Sequence, residues 1–111
     1  MGGVEALLEE HGPVEELVLD EELEAHLMER GFYDKHRVSL TEIAETHMGH
    51  PRFFLNEGQH RAPVVMVGPT AAGRLLCVPV EPAGRWGAWR PVTAFEANRH
   101  HHERYMEAGG V

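Results

Sequence analysis

The chain predicts an α+β fold, and three features say so. Apolar residues at helical spacing are confined to the first half, apolar runs broken by Gly and Pro fill much of the second, and a charged helical pattern closes it. The expected order is N-terminal helices, a three- to four-stranded antiparallel meander, and a C-terminal helix. At 111 residues and 42% apolar content the chain supports a single domain, 1–111, around one modest core.

Each element has its own local signal. Val4 to His11 reads as an apolar-and-acidic helix of a turn or two, stopped by Gly12-Pro13, within an acidic extension (1–16) free to be mobile. Leu17 to Leu19 is a short strand. Asp20 then caps a helix from Glu21 to about Phe32, in which Leu23, Leu27 and Met28 recur at helical spacing and Gly31 weakens the end. Ser39 with Glu42 forms a capping box, Val38 is the outer half of a hydrophobic staple, and the helix from Leu40 to Met48 is ended by Gly49 and Pro51. After Arg52 to Leu55 and a turn over Asn56 to His60, Ala62 to Gly68 is a nearly continuous apolar strand. A hairpin loop (Pro69 to Gly73) leads into a strand from Leu75 to Val80, and a second loop leads into Trp89 to Phe95. The last helix is expected from Glu96 to about Ala108. Pro79 and Pro91 each remove a ladder donor, which puts their strands at an edge or a bulge there.

Charge is distributed unevenly. The net charge is −8, yet residues 1–29 hold ten acidic and no basic residues, so the body from Arg30 onward is +2. Nine of the ten basic residues are Arg, the side chain suited to planar grip on phosphate or carboxylate, although a GC-rich genome explains Arg equally well. The acidic prefix is a solvated surface on the plain reading. On the sharper one, Glu5 to Glu16 lies near an arginine surface as a polyanion mimic. Cys77, the only cysteine, precludes an internal disulfide and a cysteine-based zinc site, and between Leu76 and Val78 it reads as a buried strand thiol. No apolar run approaches the ~20 residues of a membrane span, and the N-terminus lacks the pattern of a signal peptide, so a cytoplasmic protein is expected.

Four short motifs recur in a familiar order: K-H-x-V-S-x-x-E-I (Lys35 to Ile43), R-x-x-x-x-x-x-G (Arg61 to Gly68), G-R-L-L-x-V (Gly73 to Val78), and R-P-V-T-A (Arg90 to Ala94) with a terminal E-R-Y. Together they resemble the BrnT-like toxins of type II toxin–antitoxin systems, which have the RelE-like ribonuclease fold. The resemblance runs from Leu17 to Glu107. It implies an RNA substrate, a cognate antitoxin, no cofactor, and leaves a homodimer open. The family's arginine-rich terminal helix falls on Arg99, Glu103, Arg104 and Tyr105, with His100, His101 and His102 at positions that are often basic. Arg99, Arg104 and Tyr105 are therefore the expected substrate-binding residues.

RNA cleavage without a metal needs a proton acceptor for the 2′-hydroxyl, cations for the pentacoordinate phosphate and an acid for the leaving oxygen. Arg61, Arg74 and Arg90 sit on consecutive meander strands, so one face could present all three as a cationic surface with the last helix alongside; alternatively each pairs with a glutamate or caps a strand edge. His60 and His102 are the preferred proton-transfer pair, because a pKa near 6.5 serves both directions. The three consecutive histidines splay by about 100° each and cannot all face one site. His47 and His50 at i, i+3, with His36 ahead of them, are the alternative metal-ligand set, without an H-E-x-x-H motif or a third ligand at defined spacing. Trp86 and Trp89 read as core or interface residues before base-stacking ones. Three functions follow: an RNA-cleaving toxin held by an antitoxin, a catalytically silent binding module of the same fold, and a histidine-dependent metal-binding domain.

Overall fold

Capping chemistry sets the helix boundaries. The Asp20 carboxylate accepts from the Leu23 N–H (2.9 Å), opening α2 (Glu21–Tyr33). Ser39 and Glu42 exchange both bonds of a capping box at the start of α3 (Leu40–Met48). Asn98 accepts from the His101 N–H (3.0 Å) and opens α4 (Arg99–Glu107). The first helix, α1, is Val4–His11. The strands are β1 (Glu16–Leu17), β2 (Arg52–Leu55), β3 (Val64–Pro69), β4 (Leu75–Pro82), β5 (Ala88–Pro91) and β6 (Phe95–Glu96). This computed structural model describes residues 3–33, 37–57 and 61–109, with side chains 30–33 left aside.

The fold is α+β, as expected, but its sheet is larger than a meander. β2, β3, β4 and β5 pair antiparallel in that order, and β1 adds to β5 in parallel, with Glu16 opposite Ala88 and Leu17 opposite Trp89. The expected strand from Trp89 to Phe95 is two strands, because the register along β4 changes. Val80 faces Pro91 while Cys77 faces Phe95, so Val78 and Pro79 are spanned by Val92, Thr93 and Ala94, one residue too many. The Pro79 carbonyl accepts from the Val92 N–H (2.8 Å), and proline has no N–H to return. The missing donor and the bulge coincide, and the bulge turns Thr93 out of the ladder. Glu96, expected in the last helix, is the end of β6 because Ala97 still donates to the Leu75 carbonyl (2.9 Å).

V-V-M-V in β3 and L-L-C-V in β4 are continuous apolar runs because both faces of the sheet are covered. On one face Val64, Met66, Leu76, Val78, Val80 and Trp89 pack with Leu23, Leu27, Val38 and Ile43 from the helical side. On the other, Val65, Val67, Leu75 and Cys77 meet Ala97 and Tyr105, which bring in α4. Each fully buried Val or Leu contributes about 1.5–3 kcal/mol, so these two layers supply most of the cohesion. The acidic extension is not an appendage: Val4, Leu7 and Leu8 of α1 pack onto the first layer, and the Gly12 carbonyl accepts from the fully buried Trp89 indole (3.1 Å). Trp89 is thus core, while Trp86 is 64% exposed.

Two glycines are required by geometry. Gly12 has φ +86, and a Cβ there would lie 2.4 Å from the Gly87 nitrogen. Gly68 lets β3 approach α3, since a Cβ would meet Pro51 Cα at 3.0 Å and the Thr46 methyl at 3.2 Å.

Candidate functional site

The bulge opens a cleft of about 340 Å³ beside the first turns of α2, walled by Asp20, Glu22, His26, Arg61, Arg90 and Thr93 among others. Register and caps explain who meets whom. Arg90 on β5 stands opposite Glu81 on β4, but Glu81 is taken by Arg61, which reaches it with two nitrogens (3.2 and 3.3 Å). Arg90 turns instead toward the second oxygen of Asp20, at 3.8 Å, while the first caps α2. The hydrogen bond to Glu81, its charge, and the charge of Glu22 all hold the Arg61 pKa above its ordinary value. Thr93, displaced by the bulge, places its Oγ1 3.2 Å from His26 Nε2. The cleft therefore combines an imidazole–hydroxyl pair with two guanidiniums, each already facing a carboxylate.

The single cationic surface expected from Arg61, Arg74 and Arg90 is not formed. Arg61 and Arg90 share the cleft; Arg74 precedes β4, whereas Glu81 lies near the far end of that strand, roughly 23 Å away at about 3.3 Å per residue. Arg74 instead ties elements together: it donates to Glu42 (3.0 Å) and the Arg37 carbonyl (2.8 Å), and pairs with Glu96 (3.5 Å). Glu42 uses one oxygen for the α3 cap and the other for Arg74. This is the glutamate-pairing alternative, arising because the capping box and the β4 start are neighbours.

The terminal helix also divides its candidates. His102 is exposed beside Glu103 and Met106 on the outer surface of α4, and Arg99 pairs with Glu103 (3.2 Å) along the same helix. Neither lines the cleft that holds Arg61 and Arg90, and His60, the expected proton-transfer partner of His102, lies outside the described residues. Tyr105 is buried, its hydroxyl donating to the His50 carbonyl (3.4 Å). Arg104 lies over the Phe54 ring, 4.6 Å from its centroid. His101 has its pKa lowered by burial first, and then by His100, Arg104 and His102. His60, Lys35 and His36 lie outside the described residues.

Sequence reasoning missed His26 and the pairing role of Asp20. His26 carries no motif, and Asp20 was visible only as a cap. Thr93 stood within R-P-V-T-A, but nothing in that string shows that a bulge would turn it toward α2. His47, half of the alternative metal pair, hydrogen-bonds to the Val14 carbonyl (2.7 Å), and among the described residues no group of three His, Cys, Asp or Glu is placed to hold a metal ion. Comparison with protein-family models, with curated proteins and with solved structures finds no match to this chain.

Proposed function

We propose that the chain is the toxin component of a type II toxin–antitoxin pair, BrnT-like within the RelE-like ribonucleases, that it works in the cytoplasm, and that RNA is cleaved in the bulge cleft. The motif series from Lys35 to Tyr105 supports the family assignment. The observation that carries the chemistry is the meeting of Arg61, Arg90 and the His26–Thr93 pair in one cleft.

Arg61 and Arg90 grip the phosphodiester and stabilise the charge that develops on its oxygens. His26, hydrogen-bonded to Thr93, takes the proton of the 2′-hydroxyl as that oxygen attacks phosphorus. The 5′-oxygen leaves with a proton returned from the imidazolium, which leaves a cyclic phosphate and restores neutral His26. Thr93 fixes the imidazole without reacting. The test is cleavage of single-stranded RNA by the purified chain in chelator. His26→Gln and Arg90→Ala should each lower the rate about a hundredfold, the usual cost of one group acting in the transition state. Full activity in both variants would overturn the assignment.

One observation favours a second reading. Glu81 and Asp20 already face the two arginines, which suits a catalytically silent module that binds RNA or its antitoxin without cleaving. Salt-sensitive RNA binding with no cleavage product, in a chain that still forms its antitoxin complex, would select it.

A further inference from the structure

A second pocket lies on the other side of the sheet, where α4 covers β2 and β3. Its walls include Phe54, Asn56, Glu57, His100, His101 and Arg104, and it encloses about 190 Å³. Arg104 differs from most arginines of the body. Arg61, Arg74, Arg85, Arg90 and Arg99 each have a carboxylate within 4 Å, and Arg52 is turned onto the Ala108 and Gly109 carbonyls. Arg104 has no carboxylate partner among the described residues and sits over the Phe54 ring, 4.6 Å from its centroid. A guanidinium seated over an aromatic face keeps its N–H edge for hydrogen bonds and leaves its other side open to a second ring.

The same pocket wall also carries an acceptor for N–H donors. The Asn56 side chain donates to the Ala62 carbonyl (2.8 Å) and its backbone N–H to the Pro63 carbonyl (2.9 Å), which holds Asn56 in place beside Glu57. The exposed Glu57 carboxylate has no ion pair among the described residues. A rim carboxylate repels a bare phosphate but accepts N–H groups, and guanine alone among the four bases offers a ring N–H and an amino group side by side. Arg61, next to Ala62, lines the bulge cleft, so the Asn56–Ala62 bond joins the wall of this pocket to that of the cleft.

We infer that the pocket between β2 and α4 binds one guanine nucleotide of single-stranded RNA, the base stacked on Arg104 and read by Glu57, the phosphate held by His100 and the Arg104 edge. This inference rests on the reading that the chain acts on RNA, and it supplies that reading with a base preference.

The experiment is titration of the isotopically labelled full chain with 5′-GMP, 5′-CMP and 5′-UMP, followed by amide chemical shifts. GMP should move the signals of Asn56, Glu57, His101 and Arg104 and bind about tenfold more tightly than UMP. Arg104→Ala should weaken GMP binding about tenfold, within the range for loss of a stacking platform. Glu57→Gln should abolish the preference for GMP over UMP, and the spectrum itself reports whether each variant is folded. Shifts that avoid β2 and α4, or equal binding of all three nucleotides, would overturn the inference. Guanine-selective shifts in a chain that cleaves no RNA would leave the pocket standing and remove the ribonuclease reading. RNA cleavage without those shifts would do the reverse.

Discussion

Replacing Asp20 by Asn separates two tasks of one side chain. Asn caps a helix as well as Asp, so the bond to the Leu23 N–H survives. What is lost is the charge 3.8 Å from Arg90. Both side chains are about 40% exposed, so the attraction is that of a pair near water, about 1 kcal/mol at this distance. A phosphate that binds Arg90 must displace Asp20 and forfeit that energy. Asp20→Asn should therefore raise affinity for single-stranded RNA about fivefold at low salt. It should also steepen the dependence of log affinity on log salt by up to about 0.7, one more phosphate neutralised. Fluorescence anisotropy with a labelled RNA over a salt series measures both quantities. Asp20→Ala is the control, since it frees Arg90 but loses the cap at about 1 kcal/mol of stability. Unchanged affinity and salt slope in Asp20→Asn, at an unchanged melting temperature, would refute the claim that Asp20 competes with RNA.

The same reasoning relocates the polyanion mimic. Glu10 faces His11 (2.9 Å) and Glu16 pairs with Arg85 on the β4–β5 loop, so these two acids of the prefix are engaged away from the bulge cleft. The acids that face the two arginines of the cleft are Asp20 at Arg90 and Glu81 at Arg61, with Glu22 adding its charge from the start of α2. Deleting residues 1–14 is consequently a poor test of mimicry. It removes Val4, Leu7 and Leu8 from the core and the carbonyl that satisfies Trp89.

Four further outcomes are expected. Gly12→Ala, which combines a left-handed φ with a backbone clash at Gly87, should destabilise by more than about 3 kcal/mol in a denaturant titration. Arg74→Ala should cost about 1–2 kcal/mol of stability by releasing Glu42 and β6, without the specific loss of turnover expected of Arg90→Ala; melting and cleavage measured together decide this. Burial pushes the Cys77 thiol up to about 12, so alkylation at pH 8 should proceed only at the rate of global opening and become fast in denaturant. His101 titrates below its ordinary 6.5 when folded, so the unfolded chain binds that proton first as pH falls, and stability should decline through about pH 6.5; His101→Gln should flatten that slope in melting curves.

What the sequence reveals here is set by the range of each interaction. Ser39–Glu42, Asp20 and the periodicity of Leu23 and Leu27 act within a few residues, and α1, α2 and α3 accordingly fall close to where local signals put them. Pro79 and Pro91 pointed to an edge or a bulge because a missing N–H is a property of one residue, and a bulge is what forms opposite Pro79. The site depends on partners far apart in the chain, and there local reasoning fails: Thr93 meets His26 across 67 residues, and Arg74 meets Glu42 across 32. Consecutive strands bearing arginines do not imply a shared surface, because Arg74 and Arg90 occupy opposite ends of the β4 ladder. The carboxylates then decide how much of the remaining cationic potential is usable. Arg61 and Arg90 are held by Glu81 and Asp20, while Arg104 has, among the described residues, an aromatic face and no carboxylate. On the proposed ribonuclease reading, the guanidinium resting on Phe54 gives up no ion pair among the described residues when a nucleotide arrives, so in a chain of net charge −8 initial capture should fall to α4 and cleavage to the bulge.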